Sequence, residues 1–415
     1  METETPEELR SSENRALQEL KTRLEEAILG DRLISHHDDH PSPGRRTHVM
    51  NPWFGGSCPV NRSADISLWG VPLLPSKHHE GTDAVLLKFL KAREFKVCEA
   101  LEMLRRTLRW RREFGIDGIL EEAMGPREEL ERLAYMDGVD REGHPLCYNM
   151  YGVMRDRCVL MNAFGTEWER FLRWRVQFME MGIRKLRFGC GGVGSVVQII
   201  DLKNSAFPVV SELEAATKKV LVILQDNYPE LVTRSIFINV SFRYYVYHAL
   251  LSRLLSQRTR SKFVLARPSK VQETLLKFIA PENVPVRYGG LRRKDDDEFS
   301  EPEGGSVLKV TVRGMAVETI EIPIVKAGVT AVWDLIVVGW DVNYKEEFTP
   351  DDECSYSILI QKEKKLEDSV RNSFHFSEPG KIILTIDNRS SFKKKTIFYR
   401  YTIRATKIPP FVVDI

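Results

Sequence analysis

No run of about 20 uninterrupted apolar residues, the length a bilayer-spanning helix needs, occurs in this chain. The opening segment METETPEELRSSENRALQELKTRLEE also lacks the apolar stretch of a signal peptide, so a soluble, cytoplasmic protein is expected. Charge of one sign is missing as well: 61 basic against 59 acidic residues leave a formal net charge of +2. That balance excludes a whole-chain field for nucleic acid or for an anionic membrane, and any anion binding must be local. Cysteine is scarce. The six present (Cys58, Cys98, Cys147, Cys158, Cys190, Cys354) form no CxxC pair and no zinc spacing, and are expected as reduced thiols.

Catalytic signatures are absent too. There is no GxSxG, HExxH or P-loop pattern, and Asp201 at a strand end has no nucleophile or base to pair with, so an enzyme is not expected. GCGGVGS at 189–195 precedes the strand SVVQIIDL, whereas a dinucleotide loop must follow one; it reads as a turn. HHDDH at 36–40 has no partner cluster and reads as a solvated tract. The aromatic and basic interleaving of an RNA-binding module is missing, and no nucleic-acid partner is expected.

What is present is a 415-residue chain with 42% hydrophobic residues, enough for two or three packed domains. Leu17, Leu20, Leu24 and Ile28 have helical spacing, followed by a His-, Pro- and Gly-rich tract; residues 1–65 are expected to form a partly disordered extension and linker. Val85, Leu86, Phe89 and Leu90, then Ala100, Leu101, Leu104 and Leu108, predict a helical unit over 66–125. The run GIDGILEEAMGPREELERLAYM reads as short helices broken at Gly125 and Pro126.

Over 126–292 helical and strand patterns alternate, predicting an α/β domain. HPLCYNMYGV, SVVQIIDL and SIFINV are its strands, apolar on both alternations and so covered on both faces. TEWERFLRWRVQFMEMGIRKL, with a capping box in TEWE, ELEAATKKVLVILQDN and YYVYHALLSRLLS are its helices. A charged linker at 293–304 precedes an all-β module over 305–407, a sandwich or jelly roll, and a tail at 408–415. VLKVTVRG, ETIEIPIV, AVWDLIVVGW, YSILIQKE, KIILTID and IFYRYTIRA are its strand candidates.

DAVLLKFLKAREFKVCEALEMLRRTLRWRREFG, SVVQIIDLKN, and NYPELVTRSIFIN with KFIAPENVPVRYGG resemble the CRAL-TRIO lipid-transfer family in matching order, and the β-rich tail resembles a GOLD domain. A CRAL-TRIO unit followed by GOLD is the arrangement of the plant patellins, whose own segments ISLWGVPLLPS and DREGHPLCYNMYG resemble. The resemblance covers about residues 65–407. It implies a helical unit, then a sheet flooring an apolar cavity closed by an amphipathic gate helix. No cofactor is implied; the ligand is a bound phospholipid, driven in by roughly 0.8 kcal/mol per buried CH₂.

On the family pattern the headgroup phosphate falls to Lys88, Thr259 and Lys262, with Glu230 of YPE organising them. Composition alone makes Lys88 and Lys91 ordinary solvated helix charges and Glu230 a cap after Pro229. Thr259 and Lys262, at i and i+3, can share one face of a turn. Lys88 replaces the family's Arg, exchanging a bidentate fork for a point charge. The family positions for choline phospholipid are Val196 and Gln198 here, without a hydroxyl, so choline coordination of that kind is not expected.

The gate reads INVSFRYYVYHALLSRLL where patellins usually have INVPWW and SPF. Phe242, Tyr245, Val246, Ala249, Leu250 and Leu254 keep an apolar stripe, which by spacing alone is as compatible with simple core packing. Arg243, Arg253, Arg258 and Arg260 at the implied pocket mouth, and Lys393, Lys394 and Lys395 at a hairpin tip, are the expected contacts with anionic membrane, each cation adding up to roughly 1 kcal/mol. The resemblance implies a monomer, peripherally membrane-associated, that transfers or presents phosphoinositides in membrane traffic or cell-plate formation. The competing expectation is a permanently loaded adaptor recruiting protein partners through GOLD.

Overall fold

Leu17, Leu20, Leu24 and Ile28 line one face of α1 (Pro6–Leu29), and all four are buried. The structure, a computed structural model, describes residues 6–33, 66–165, 168–204, 211–245, 260–299, 305–352 and 354–405. α1 packs on α2 (Glu80–Ala92) and α3 (Val97–Phe114) and shares their core. Lys21 pairs with Asp83 at 2.8 Å, and Arg23 Nη1 donates to Cys98 Sγ at 2.9 Å. The helix expected in an extension before residue 66 is therefore part of the helical unit, because its apolar stripe has a core to enter.

Local chemistry sets the helix ends. His79 Nδ1 accepts from the Gly81 amide at the start of α2, with Glu80 and Asp83 in the first turn favoured by the helix dipole. α3 stops at Gly115, which takes the left-handed conformation that ends many helices. The ISLWGVPLLPS segment makes a small antiparallel pair, β1 (Ser67–Leu68) and β2 (Val71–Pro72). Its Trp69 stacks between Phe89 at 5.9 Å and Phe188 at 5.8 Å.

A five-stranded sheet follows in the order β3 (Ala134–Val139), β4 (Pro145–Met150), β5 (Val196–Asp201), β6 (Val232–Ile238), β7 (Phe263–Leu265). β4 and β5 are parallel, with Cys147 opposite Gln198. After α4 (Arg127–Leu133), the connections carry α5 (Arg157–Phe164), α6 (Trp168–Ile183) and α7 (Ser211–Asn227). β4 and β5 are buried at nearly every position, as strands covered on both faces must be. The AYM end of the predicted helical run turns extended at Ala134 and joins the sheet as β3; strand pairing overrides local helical spacing there. Thr166 and Glu167 of the TEWE box and most of YYVYHALLSRLLS lie outside the described residues.

By contacts the chain divides into two compact units. The first holds the helices α1–α7 and most of the sheet; the second holds residues 137–142 and the described part of 265–405. In the second, α8 (Val271–Phe278) is clipped to the β module: Gln272 donates to Gly289 O and Val337 O and accepts from the Gly339 amide. In the described part of the stretch expected as a linker at 293–304, Asp296 pairs with Arg371 and Arg400, and Phe299 lies under the Arg400 guanidinium at 4.0 Å.

The β module is a two-sheet antiparallel sandwich. Its strands are β8 (Leu308–Val312), β9 (Val317–Ile324), β10 (Val329–Val337), β11 (Asn343–Pro350), β12 (Ile358–Lys365), β13 (Val370–Phe376), β14 (Gly380–Asp387) and β15 (Lys395–Ala405). One sheet runs β13-β10-β15-β8 and the other β12-β11-β14-β9, with a single core between them that includes Ile322, Trp333, Tyr344, Phe348 and Ile397. Sequence reading omits β11 and β13. NYKEEFTP looks charged, yet Glu346 points inward, accepting from Trp333 Nε1 at 3.2 Å and Asn372 Nδ2 at 2.7 Å.

Candidate functional site

α2 buries Val85, Leu86, Phe89 and Leu90, which leaves Lys88 at the edge of that face, half-buried. Its ammonium donates to the backbone carbonyl of Glu230 at 2.9 Å and stands 5.8 Å from the Phe188 ring centre. Burial pushes its pKa down to about 8; the Glu230 charge opposes that shift, and Lys91 and Lys262 add to it. Lys262, just before β7, meets the Glu230 carboxylate at 2.8 Å. Glu230 thus engages one lysine through its backbone and another through its side chain. It does so with φ at 54°, in the left-handed region, where a non-glycine residue costs roughly 1–2 kcal/mol.

Three further residues hold that turn. Tyr228 donates its hydroxyl to Glu180 Oε1 on α6 at 2.5 Å, and Arg111 of α3 grips the same carboxylate through Nη1 at 2.5 Å and Nη2 at 3.3 Å. Burial and the Glu180 charge raise the Tyr228 hydroxyl far above its ordinary range, so it stays a donor. These partners were not expected from the sequence. The signal available was Glu180 itself, an acid on a helix buried nearly all round. The glycine loop, as expected, is a turn; a Cβ at Gly194 would come within 3.3 Å of Phe188 and 3.7 Å of Lys88 Cε.

Of the expected headgroup residues, the fold brings Lys88, Glu230 and Lys262 together; Thr259 lies outside the described residues. So do Val246, Ala249, Leu250 and Leu254 of the gate, and Arg253 and Arg258. Phe242 is 70% exposed, and Tyr245 sits under the Arg267 guanidinium at 5.2 Å. Arg243 and Arg260 are exposed. At the hairpin tip Lys393 and Lys394 are exposed beside Phe392, at 88%. Lys395 is half-buried and donates to Gly339 O at 3.3 Å and Trp340 O at 2.9 Å. Val196 is buried and Gln198 half-buried.

Among the described residues no group of acids, His and Cys could hold a metal, and no helix is long and apolar enough to cross a membrane. Family models match a CRAL/TRIO N-terminal domain at 16–106, a CRAL/TRIO domain at 131–290 and a patellin-1-like C-terminal GOLD domain at 313–395. Patellin-6 of Arabidopsis thaliana is 44% identical over 343 residues, 81% of this chain and 82% of that protein. The chain belongs to the patellin family. Patellin-4 of the same plant is 54% identical over 81% of this chain, which spans 61% of Patellin-4's length. Beyond the patellins, a protein of Meyerozyma guilliermondii named phosphatidylinositol transfer protein SFH5 is 30% identical over 51% of this chain and 66% of its own. The expected fold, a helical unit, an α/β domain and a GOLD sandwich, is the patellin arrangement, with the N-terminal model beginning inside α1.

Proposed function

We propose that this patellin binds an inositol phospholipid and transfers or presents it at membrane surfaces, without turning it over. The observation that carries the reading is the convergence of Lys88 and Lys262 on Glu230. Two cations against one carboxylate leave a net positive charge at one end of an apolar unit, suited to a phosphate. An incoming headgroup exchanges contacts with both ammonium groups, while Glu230 keeps them in place.

Two supports lie outside that geometry. A relative named as a phosphatidylinositol transfer protein matches half of the chain, and Val196 and Gln198 leave no hydroxyl pair for choline coordination. The exposed Phe242 and Arg243, with Phe392, Lys393 and Lys394, are the surfaces we assign to an anionic leaflet. A setting in membrane traffic, including cell-plate formation, rests on family membership alone.

The test is vesicle-to-vesicle movement of labelled phosphatidylinositol by the full chain, with co-purifying lipids identified by mass spectrometry. Movement reduced at least tenfold by Lys88→Met with Lys262→Met supports the reading. A loaded protein that exchanges nothing favours the adaptor instead. A sterol or isoprenoid ligand removes Lys88 and Lys262 from the headgroup role.

A further inference from the structure

Arg175 lies in the middle of α6, 8% exposed, and its Nη1 is fully buried with no hydrogen-bond partner among the described residues. Its guanidinium carbon lies 5.4 Å from the Trp174 ring centre and 5.6 Å from that of Phe178. Among the described residues, the groups acting on it electrostatically are Tyr151 and Cys147, neither a carboxylate. Burial pushes the Cys147 thiol up to about 12, so it is neutral and supplies no counter-charge.

An arginine cannot relieve burial by losing its proton at ordinary pH, and a buried charge without a partner is among the most costly arrangements in a protein interior. The buried guanidinium groups of Arg111 and Arg400 are paired, the first with Glu180 and the second with Asp296 and Asp334. Arg175 is built differently. Ring faces offset part of the cost, but Nη1 has no acceptor among the described residues.

The position is informative. Cys147, which feels the Arg175 charge, lies on β4 opposite Gln198 of β5. The surroundings, including Phe171, Trp174 and Phe178, are apolar. A small hydrated ion would lose its water there for one fork of donors, whereas an amphiphile also buries its chain.

We propose that Arg175 receives the anionic group, phosphate or carboxylate, of an amphiphilic ligand between α6 and β4, as a second anion contact besides Lys88 and Lys262. The assignment rests on the lipid-binding reading but uses different residues. The full chain carrying Arg175→Met is compared with wild type and with Lys88→Met/Lys262→Met for extraction of dioleoyl phosphatidic acid, oleate and neutral dioleoylglycerol from vesicles.

The expected result is a loss of at least tenfold for one of the anionic lipids with dioleoylglycerol within twofold, and a melting temperature of lipid-free Arg175→Met no lower than wild type. Unchanged anionic extraction by Arg175→Met overturns the proposal; if the lysine variant still loses phosphatidylinositol, the headgroup reading stands without it. Thermal protection of wild type by inorganic phosphate alone overturns the assignment to a lipid. Should Arg175→Met fail to fold, wild-type melting decides: a rise with phosphatidic acid or oleate but not with dioleoylglycerol supports the proposal, and equal response to all three overturns it.

Discussion

Tyr228 and Glu180 meet at 2.5 Å between the turn that precedes β6 and the helix α6, although 48 residues separate them. Two residues beyond that tyrosine lies Glu230, so the hydroxyl–carboxylate contact fixes the turn from which Glu230 addresses Lys88 and Lys262. Arg111 neutralises the carboxylate, and the trio joins α3, α6 and the turn into one support.

Glu180→Ala leaves Arg111 buried without its partner. A loss of about 3–5 kcal/mol is expected, read as a lower denaturation midpoint in urea. The proposed phosphatidylinositol binding is expected to fall with it, because Glu230 loses its anchor.

Lys88 carries a pH dependence whose sign follows from its environment. Its folded pKa of about 8 lies below the 10.5 of a free lysine, so the burial penalty is present in full below pH 8 and relieved as pH rises from about 8 to 10.5. Stability therefore gains over that window, while the proposed phosphatidylinositol binding is expected to weaken as the ammonium discharges. Binding isotherms between about pH 6.5 and 9.5 should show this decline, and Lys88→Arg, charged throughout, should flatten it.

Asp334 is fully buried and accepts from Arg371 at 2.6 Å and from Arg400 at 2.8 Å. Asp334→Asn removes the charge that both guanidinium groups face and is expected to cost about 3–5 kcal/mol. Calorimetry should place the loss in the transition that includes the β sandwich. A change under about 1 kcal/mol would show that Asp296 alone suffices to balance the pair.

Phe242 is 70% exposed at the start of the segment expected as a gate. If that segment meets the leaflet, Phe242→Ser forgoes roughly 1.5–3 kcal/mol of apolar burial. Co-sedimentation with phosphatidylinositol-containing vesicles should drop about tenfold or more, with no change in melting temperature, since the ring contributes little to the folded core.

The sequence determined the parts whose signal is local. Helical spacing in α1, α2 and α3, apolar strands in β4 and β5, and the alternating strands of the sandwich follow from short-range periodicity, and the ordered motifs named the family. Tertiary structure decided what depends on distant partners. It drew α1 into the core, bound the 293–299 segment to the sandwich through Asp296 and Phe299, and made a strand of NYKEEFTP by giving Glu346 two donors. The candidate site divides the same way: Lys88, Glu230 and Lys262 were legible as motif positions. The hold of Glu180 and Arg111 on Tyr228, the capture of Lys395 by two carbonyls, and the buried Nη1 of Arg175 without an acceptor among the described residues were not. A charge in a sequence looks solvated until the fold shows which groups surround it, because the energy of a charge is set by its neighbours and its access to water.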